Sequence, residues 1–479
     1  MQLDPDICYR AHRARDARFD GRFFTAVGST RIYCRPVCTA PLPKRENCRF
    51  YASAAAAEHA GYRPCLRCRP ELAPGLASVD ASARLARAAA SLIDDGALVE
   101  ANLASLAQRL GVTDRHLRRV FEAEFGVAPI AYAQTARLLL AKRLLTDTAM
   151  PVTDVAMAAG FGSLRRLNTL FAQRYRLNPS ALRSERAQRP VDHHVFRLHT
   201  REPFDFAALL RFYAARAVAG VEAADARTYR RTLAVAVGGA RTAAGWIEVR
   251  RAARGAGVEV RVDARLAAAI PRVLAACKRA FDLDCRPDEV LAALGELARP
   301  RPGLRLPGAF DAFELGARAI LGQQVSVQAA RTLAQRLVQR FGAPIETPFA
   351  AVERLFPDAP RIAAAKPAQI AELGIIEQRA RALVSFAQAV VEGRVRLDPT
   401  ADIERTLAAL RSLPGIGEWT AHYIAMRALH WPDAFPPGDV AVLKALGCTR
   451  TAALAQAEHW RPWRSYAVMH LWQSLEKPR

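Results

Sequence analysis

The chain has 479 residues, and because a domain usually holds about 100 to 200 residues, we expect three or four folded units. Hydrophobic residues make up 51% and charged residues 24% of the chain, which excludes a wholly disordered or collagen-like protein. The longest stretches without a charged residue have 12 residues, against about 20 for a membrane-spanning helix, and the first residues contain no apolar run of signal-peptide length. We therefore expect a cytoplasmic protein with no membrane partner.

The formal charge is +23, from 69 Lys and Arg residues against 46 Asp and Glu residues. Residues 1 to 80 contain 13 basic and 8 acidic residues, and residues 81 to 190 contain 16 and 9, so the excess is not confined to one tail. This distribution favours contact with a polyanion, most simply nucleic acid, along the whole chain. An arginine-favouring genome composition would give the same excess of positive charge, so sequence motifs are needed to choose between the two explanations.

Cysteines are concentrated at the start of the chain, where six of the nine lie within the first 68 residues. Four of them form two closely spaced pairs, Cys34 with Cys38 and Cys65 with Cys68. Disulfides do not persist in the cytosol, and two such pairs can turn four thiolates onto one tetrahedral zinc ion. The remaining two are Cys8 and Cys48, which have no close partner and are expected to be packing residues.

The residues around these pairs resemble the N-terminal domain of the Ada family of alkylation-damage response proteins. The matching segments are Ile32 to Cys38, Arg45 to Asn47, Phe50-Tyr51 and Gly61 to Cys68. The resemblance covers residues 1 to about 72 and implies that Cys34 accepts a methyl group irreversibly from a DNA methylphosphotriester. It also implies that Cys34, Cys38, Cys65 and Cys68 together bind one Zn²⁺, which is both structural and nucleophile-activating. A four-cysteine zinc site that is purely structural is the alternative.

The local chemistry agrees with a site that meets DNA. Zinc would hold the four sulfurs as thiolates near neutral pH, and nearby basic side chains could bring the phosphate backbone to them. Four thiolates on Zn²⁺ carry a charge of −2, and methylating one leaves −1, so repair should itself strengthen DNA binding. The basic side chains are Arg35, Lys44, Arg45, Arg63 and Arg67.

Residues 81 to 186 are predicted to be helical and contain a repeat. Leu106-Ala107 and Val155-Ala156 are 49 residues apart, and Phe121 and Phe171 are 50 apart. Each copy has a short apolar-faced helix, a glycine turn and a second helix that carries arginines, which is typical of a helix-turn-helix. A generic helical hairpin is the alternative for either copy alone. The arginines are Arg115, Arg118 and Arg119 in the first copy and Arg165, Arg166 and Arg174 in the second.

This segment resembles the AraC-type DNA-binding domain, with a linker helix at Pro129 to Thr146 between two helix-turn-helix units. The resemblance implies that both recognition helices enter neighbouring major-groove segments of one promoter. The bases they contact stay open, since arginine binds guanine edges and phosphates alike.

After residue 183 the chain is polar and aperiodic, and we place a linker at Ser184 to His194, with His193 and His194 as part of it. Thr232 to Val237, Trp246 to Arg251 and Val258 to Asp263 alternate apolar and polar residues as antiparallel strands do. From Phe310 onward the pattern is helical.

The strongest chemical motif is a hairpin followed by an aspartate. It consists of Leu413, Pro414, Gly415, Ile416 and Gly417, with Gly438-Asp439 further on after a proline turn. Glycines permit close backbone approach, and the exposed N–H groups of such a hairpin suit a DNA phosphate. With Arg318 to Val327, Pro462 to Trp472 and the predicted strands, the motif resembles the AlkA-like 3-methyladenine DNA glycosylases of the helix-hairpin-helix superfamily, over residues 196 to about 476.

That resemblance implies that Asp439 is the catalytic carboxylate and that Trp419, Tyr423 and Trp472 are aromatic walls of a base pocket. It implies that the hairpin binds DNA, as does Gln324, which stands where some related enzymes insert a leucine into the base stack. Related enzymes that also cut the backbone have a lysine at the position of Trp419, so lyase activity is not expected. No Pro-Cys-His-Arg motif of O6-methylguanine transferases occurs in the chain.

We therefore predict a multidomain α+β protein with four parts. They are a zinc-binding methyl-acceptor domain (1–76), a double helix-turn-helix domain (81–187), a small antiparallel sheet subdomain (195–300) and a helix-hairpin-helix glycosylase domain (301–479). The expected function combines excision of alkylated bases, methyl transfer to Cys34 and binding of promoter DNA. The expected partners are double-stranded DNA, both alkylated and promoter, and RNA polymerase, with the chain a nucleoid-associated monomer. The alternative is a transcriptional regulator whose C-terminal part binds damaged DNA without catalysis.

Overall fold

The computed structural model describes residues 4–73, 81–94, 96, 98, 102–148, 150–182, 192–238, 241–253, 255–398 and 401–475. We call residues 4–73 the N-terminal module, 81–182 the helical module and 192–475 the C-terminal module. Small sheets alternate with helical regions along the chain, so the predicted multidomain α+β class is confirmed. Among the described residues, no helix is both long and apolar enough to span a membrane.

The N-terminal module is a four-stranded sheet with two helices. Its elements are α1 (Pro5–Arg13), β1 (Phe24–Val27), β2 (Ile32–Cys34), β3 (Cys48–Tyr51), α2 (Ala54–His59) and β4 (Arg63–Pro64). The strand order is β3-β1-β2-β4, with β2 and β4 parallel and the other pairs antiparallel. Its apolar core is small, built around Phe24, Tyr33 and Tyr62. A core of this size gives little stability without a metal or a partner.

The helical module contains the predicted repeat. Its helices are α3 (Ala81–Asp94), α4 (Leu103–Arg109), α5 (Asp114–Phe125), α6 (Pro129–Asp147), α7 (Val152–Ala158) and α8 (Leu164–Tyr175). The pairs α4–α5 and α7–α8 have the same lengths, 7 and 12 residues. Both longer helices begin behind a hydroxyl cap, since Thr113 accepts from the His116 N–H and Ser163 from the Arg166 N–H, each at 3.2 Å.

The C-terminal module opens with a five-stranded antiparallel sheet in the order β5-β9-β8-β7-β6. Its strands and the helix between the first two are β5 (His193–His199), α9 (Phe206–Arg216), β6 (Glu222–Ala224), β7 (Thr228–Gly238), β8 (Arg241–Arg251) and β9 (Gly257–Asp263). The three predicted strand segments lie within β7, β8 and β9.

The prediction that His193 and His194 belong to a linker is wrong. His193 pairs with Asp263 of β9, and His194 is buried because alternate residues of β5, His194, Phe196 and Leu198, face the core. Asp192 of the proposed linker accepts from the Ala264 N–H at 3.0 Å, and residues 184–191 lie outside the described residues.

The remainder of the C-terminal module is helical. Its helices are α10 (Ile270–Ala280), α11 (Pro287–Leu294), α12 (Ala312–Leu321), α13 (Val327–Phe341), α14 (Ala359–Ala363), α15 (Pro367–Ala371), α16 (Glu377–Val391), α17 (Ile403–Arg411), α18 (Glu418–Arg427), α19 (Val440–Leu446), α20 (Arg450–Ala457) and α21 (Arg464–Ser474).

The two halves of the helical module are buried differently. The first half has its own core around Leu106, Leu117 and Phe121. The second half, including Val155 and Phe171, belongs to the same buried cluster as the sheet and helices of the C-terminal module. The helical module is therefore packed onto the C-terminal module through its second half.

Candidate functional site

A cavity of about 250 Å³ lies among α9, α12, α13, α18 and α21 and has an aromatic wall. Trp419 and Tyr423 stand one turn apart on α18 and stack with ring centroids 5.0 Å apart and planes 14° from parallel. The ring centroid of Trp472, on α21, lies 6.3 Å from that of Tyr423. The structure thus brings together the three aromatic residues predicted to form a base pocket.

Asp439 closes the cavity on one side, and three N–H groups hold its carboxylate. The Trp419 indole donates to Oδ2 at 2.8 Å, and the Trp472 indole donates to Oδ1 at 3.0 Å. Asp439 also caps the N-terminus of α19, where Oδ1 accepts from the Val442 N–H at 2.9 Å. Asp439 as a whole residue is only 7% exposed, so a fixed acceptor lies beside the aromatic wall. The sequence does not predict this second role of the two tryptophans, because it depends on three distant segments meeting.

Arg427 is a further residue of the site. It donates to the Tyr423 hydroxyl at 2.7 Å and to the Pro307 carbonyl at 2.8 Å. Burial alone would raise the pKa of Tyr423, but the positive charges of Arg427 and Arg216 lower that pKa below its ordinary value. The signal in the sequence that points to Arg427 is its spacing of four residues from Tyr423.

The predicted hairpin joins α17 to α18. Leu413 and Ile416 are buried, while Pro414, Gly415 and Gly417 are exposed at the surface. Gly415 has φ +82°, and a Cβ there would lie 2.9 Å from Ala382, so the turn requires glycine.

A neighbouring loop is tied to this hairpin. The Gln323 side chain donates to the Gly415 carbonyl at 2.8 Å and to Thr420 Oγ1 at 2.9 Å. Gln324 follows in a left-handed conformation, φ +54°, with an exposed side chain. The hairpin and Gln324 therefore lie on one surface, next to the helix that carries the aromatic wall.

The four predicted metal ligands also come together. Ligand atoms of Cys34, Cys38, Cys65 and Cys68 all lie within 4.8 Å of one another. Tetrahedral zinc with bonds of about 2.3 Å needs sulfurs roughly 3.8 Å apart, so this donor set fits one Zn²⁺. The backbone N–H of Arg35 donates to the Cys68 sulfur at 3.3 Å, an interaction that favours the thiolate.

The basic residues around the cluster differ from expectation in one respect. The Arg35 side chain is buried, and its Nε donates to Asp20 Oδ1 at 2.8 Å. The prediction that Arg35 contacts the phosphate backbone is therefore wrong. The side chain also donates to the Cys68 carbonyl at 3.2 Å, and both partners are distant in the sequence. Lys44 and Arg67 are exposed.

Helices α5 and α8 are the two recognition helices, and their arginines fall into two groups. Arg174 points away from the exposed face of its helix and donates to the Glu58 carbonyl at 3.2 Å. The other five are exposed, and they are Arg115, Arg118, Arg119, Arg165 and Arg166. Both recognition helices thus present an exposed basic face that could contact DNA.

Four protein-family models match the chain. They are "Metal binding domain of Ada" (residues 7–71), "Helix-turn-helix domain" (106–185), "AlkA N-terminal domain" (195–311) and "HhH-GPD superfamily base excision DNA repair protein" (317–458). Their order along the chain matches the order of the modules.

Individual proteins are similar in sequence to the whole chain or to parts of it. The whole chain is 37% identical to 98% of "Probable bifunctional transcriptional activator/DNA repair enzyme AlkA" of Mycobacterium tuberculosis. It is 40% identical to "DNA-3-methyladenine glycosylase 2" of Escherichia coli, over 58% of this chain and 96% of that protein. It is 37% identical to "Bifunctional transcriptional activator/DNA repair enzyme Ada" of Escherichia coli, over 33% of this chain and 43% of that protein.

Proposed function

Since the chain belongs to the AlkA family of bifunctional transcriptional activator/DNA repair enzymes, we propose that it hydrolyses the N-glycosidic bond of alkylated bases such as 3-methyladenine in DNA. The observation that carries this proposal is the Asp439 carboxylate, held by two indole N–H groups at the wall of an aromatic cavity. We assign Asp439 as the catalytic carboxylate and Trp419, Tyr423 and Trp472 as the base pocket.

The substrate explains why one carboxylate is enough. An alkylated purine is positively charged and leaves readily, so the enzyme has mainly to stabilise the sugar cation and position water. The base is flipped out of the duplex into the cavity, where aromatic faces hold it by stacking and cation–π attraction of about 0.5 to 2 kcal/mol. The bond from C1′ to the base breaks with its electron pair on the base, which leaves as a neutral molecule, while Asp439 stabilises the charge on the sugar. Water then adds to C1′ and releases one proton to the solvent.

The test is base release from a duplex that contains 3-methyladenine, measured by chromatography, with borohydride trapping as the assay for a lyase. We expect free base, an intact backbone and no trapped complex, because Trp419 replaces the lysine nucleophile. Tight binding of the damaged duplex without base release would favour the alternative, a regulator whose C-terminal module only binds damaged DNA.

For the N-terminal module we propose that Cys34 accepts the methyl group of a DNA methylphosphotriester. Bound zinc would keep the four sulfurs as thiolates near neutral pH. The Cys34 sulfur attacks the methyl carbon, the carbon–oxygen bond breaks, and the phosphate oxygen keeps the electron pair as a diester anion. Peptide mass after incubation with such a duplex should show one added methyl group on Cys34. An unmodified Cys34 would leave the zinc site purely structural.

The helical module would bind promoter DNA through both recognition helices and the hairpin surface would bind the alkylated duplex. We further propose RNA polymerase as a partner of the promoter-bound chain, a monomeric state and a location at the nucleoid. Methylation of Cys34 removes one negative charge from a DNA-facing cluster, so promoter affinity should rise after repair. Equal affinity before and after treatment with the methylphosphotriester duplex would exclude this switch.

A further inference from the structure

Helix α2 of the N-terminal module touches the last residue of both recognition helices. Ser53, which caps α2, donates through Oγ to the Phe125 carbonyl at the end of α5, at 2.7 Å. Glu58, near the other end of α2, accepts from the Tyr175 hydroxyl at the end of α8, at 3.1 Å. Phe125 and Tyr175 are equivalent positions of the repeat, 50 residues apart. One short helix therefore bridges the two helix-turn-helix units.

Glu58 is bonded to three segments at once. Besides Tyr175, its carboxylate accepts from the Tyr33 hydroxyl of β2 at 2.9 Å and from Thr135 Oγ1 of α6 at 3.2 Å. Glu58 as a whole residue is 2% exposed, and burial raises the pKa of its carboxylate to about 7. Tyr33, Thr135 and Tyr175 donate to this carboxylate through hydroxyl groups, which stabilise a buried acid only in part. Burial of an acid destabilises the fold, so a buried Glu58 where three segments meet points to a role in holding those segments in place.

The position of α2 depends in turn on the cysteine cluster. Ala57 of α2 packs in the same small core as Tyr33 and Tyr62, and Tyr33 precedes Cys34. The core is too small to hold this sheet and helix together without the metal. Loss of the zinc-bound fold should therefore release α2 from the ends of α5 and α8.

We propose that α2 is the docking element through which the N-terminal module fixes the ends of the two recognition helices, with Glu58 and Ser53 as positioning residues. The proposal extends the proposed function, because it names the surface through which the N-terminal module contacts the helical module. It does not depend on methyl transfer.

The experiment is amide hydrogen exchange on the full chain, with and without a zinc chelator. In the unmodified protein we expect chelation to raise exchange about tenfold or more at the ends of α5 and α8. Tyr175→Phe should already raise exchange at the end of α8 with zinc bound, and chelation should then add little there. Ser53→Ala should do the same at the end of α5, so each variant is a control for the other.

Tyr9→Phe is a matched control, because the Tyr9 hydroxyl donates to Pro43 within the N-terminal module and contacts neither recognition helix. It should behave as the unmodified chain does. Unchanged exchange at both helix ends after complete zinc removal would overturn the proposal, as would an equal chelation response in Tyr175→Phe and Tyr9→Phe. Failure of Cys34 to accept a methyl group would not alter either result, so the two proposals fail separately.

Discussion

The cysteine cluster contains four acidic side chains and the Asp439 pocket contains one, and the two sites stabilise negative charge in different ways. In the cluster, four sulfurs lie within 4.8 Å of one another, an arrangement that is repulsive for thiolates unless a cation joins them. In the pocket, the acceptor is a single carboxylate, and indole and backbone N–H groups of the chain itself surround it.

The two sites therefore differ in what holds their side chains in place. The cluster depends on an ion from outside and lies in a module with a small core, whereas the pocket is assembled by helices of a large core. Metal removal should therefore affect the first site and spare the second. Loss of a single hydrogen-bond donor to Asp439 should affect the second site and spare the first.

The largest expected effect is on the cluster. Cys65→Ala should lower the zinc content from one ion to none and unfold residues 4–73, since structural zinc contributes on the order of 10 kcal/mol or more in small domains. Base release should remain. The measurements are metal content by atomic absorption and exchange protection of the N-terminal module.

Cys48→Ala is the matched control for this change. Cys48 is also buried, but its sulfur faces the Lys44 carbonyl and lies outside the four-cysteine cluster. Retention of one zinc ion by Cys65→Ala would contradict the four-sulfur assignment.

Asp439→Asn should affect only the pocket. The side chain keeps its size but loses the negative charge that stabilises the sugar cation, so single-turnover base release should fall by about 10²- to 10³-fold or more. Binding to a duplex with an abasic-site analogue should persist. Asp402→Asn is the control, because Asp402 caps α17 in the way that Asp439 caps α19. Near-normal release by Asp439→Asn would refute the catalytic assignment and make Glu418 the next candidate.

Trp472→Phe should have a smaller effect on the same site. It keeps an aromatic wall but removes the indole N–H that donates to Asp439. A hydrogen bond to a charged group contributes about 1.5 to 3 kcal/mol, so base release should fall roughly 10- to 100-fold. Trp463→Phe changes a buried tryptophan outside the cavity lining and should leave the rate almost unchanged. Equal rates for the two variants would show that the indole donor does not orient the carboxylate.

The smallest effect is the titration of Tyr423. Because Arg427 and Arg216 lower the pKa of this tyrosine against the opposing effect of burial, the folded chain releases that proton before the unfolded chain does. The stabilisation from this group therefore grows as the pH rises through that range. Absorbance at alkaline pH should show one early tyrosine step, which is missing in Tyr423→Phe. An unchanged titration curve in that variant would contradict the assignment.

Local spacing is what made much of the protein predictable. The two cysteine pairs, the repeat of the helical module and the hairpin before α18 are all short-range patterns, and the structure contains each of them. The fold class follows because alternation and helical periodicity are also local.

The rest depends on contacts between distant segments. The indole donors to Asp439 come from residues 20 and 33 positions away. The Arg35 side chain turns to Asp20 instead of solvent, and His194 is buried in a strand because β9 supplies its partner. No pattern within a short window encodes such pairings, so the sequence cannot show them.

The shared core of the helical and C-terminal modules fixes the Asp439 pocket relative to the second half of the helical module. Val155 and Phe171 are buried in one cluster with Phe196, so the two modules are joined by packing. A flexible tether would give the pocket a millimolar effective concentration over many neighbouring base pairs. A packed joint instead confines the pocket to the few base pairs that its geometry reaches, and the effective concentration elsewhere is close to zero. If the proposed functions hold, a molecule bound at a promoter would be unavailable for base excision elsewhere in the genome, and the amount of unbound protein would limit repair.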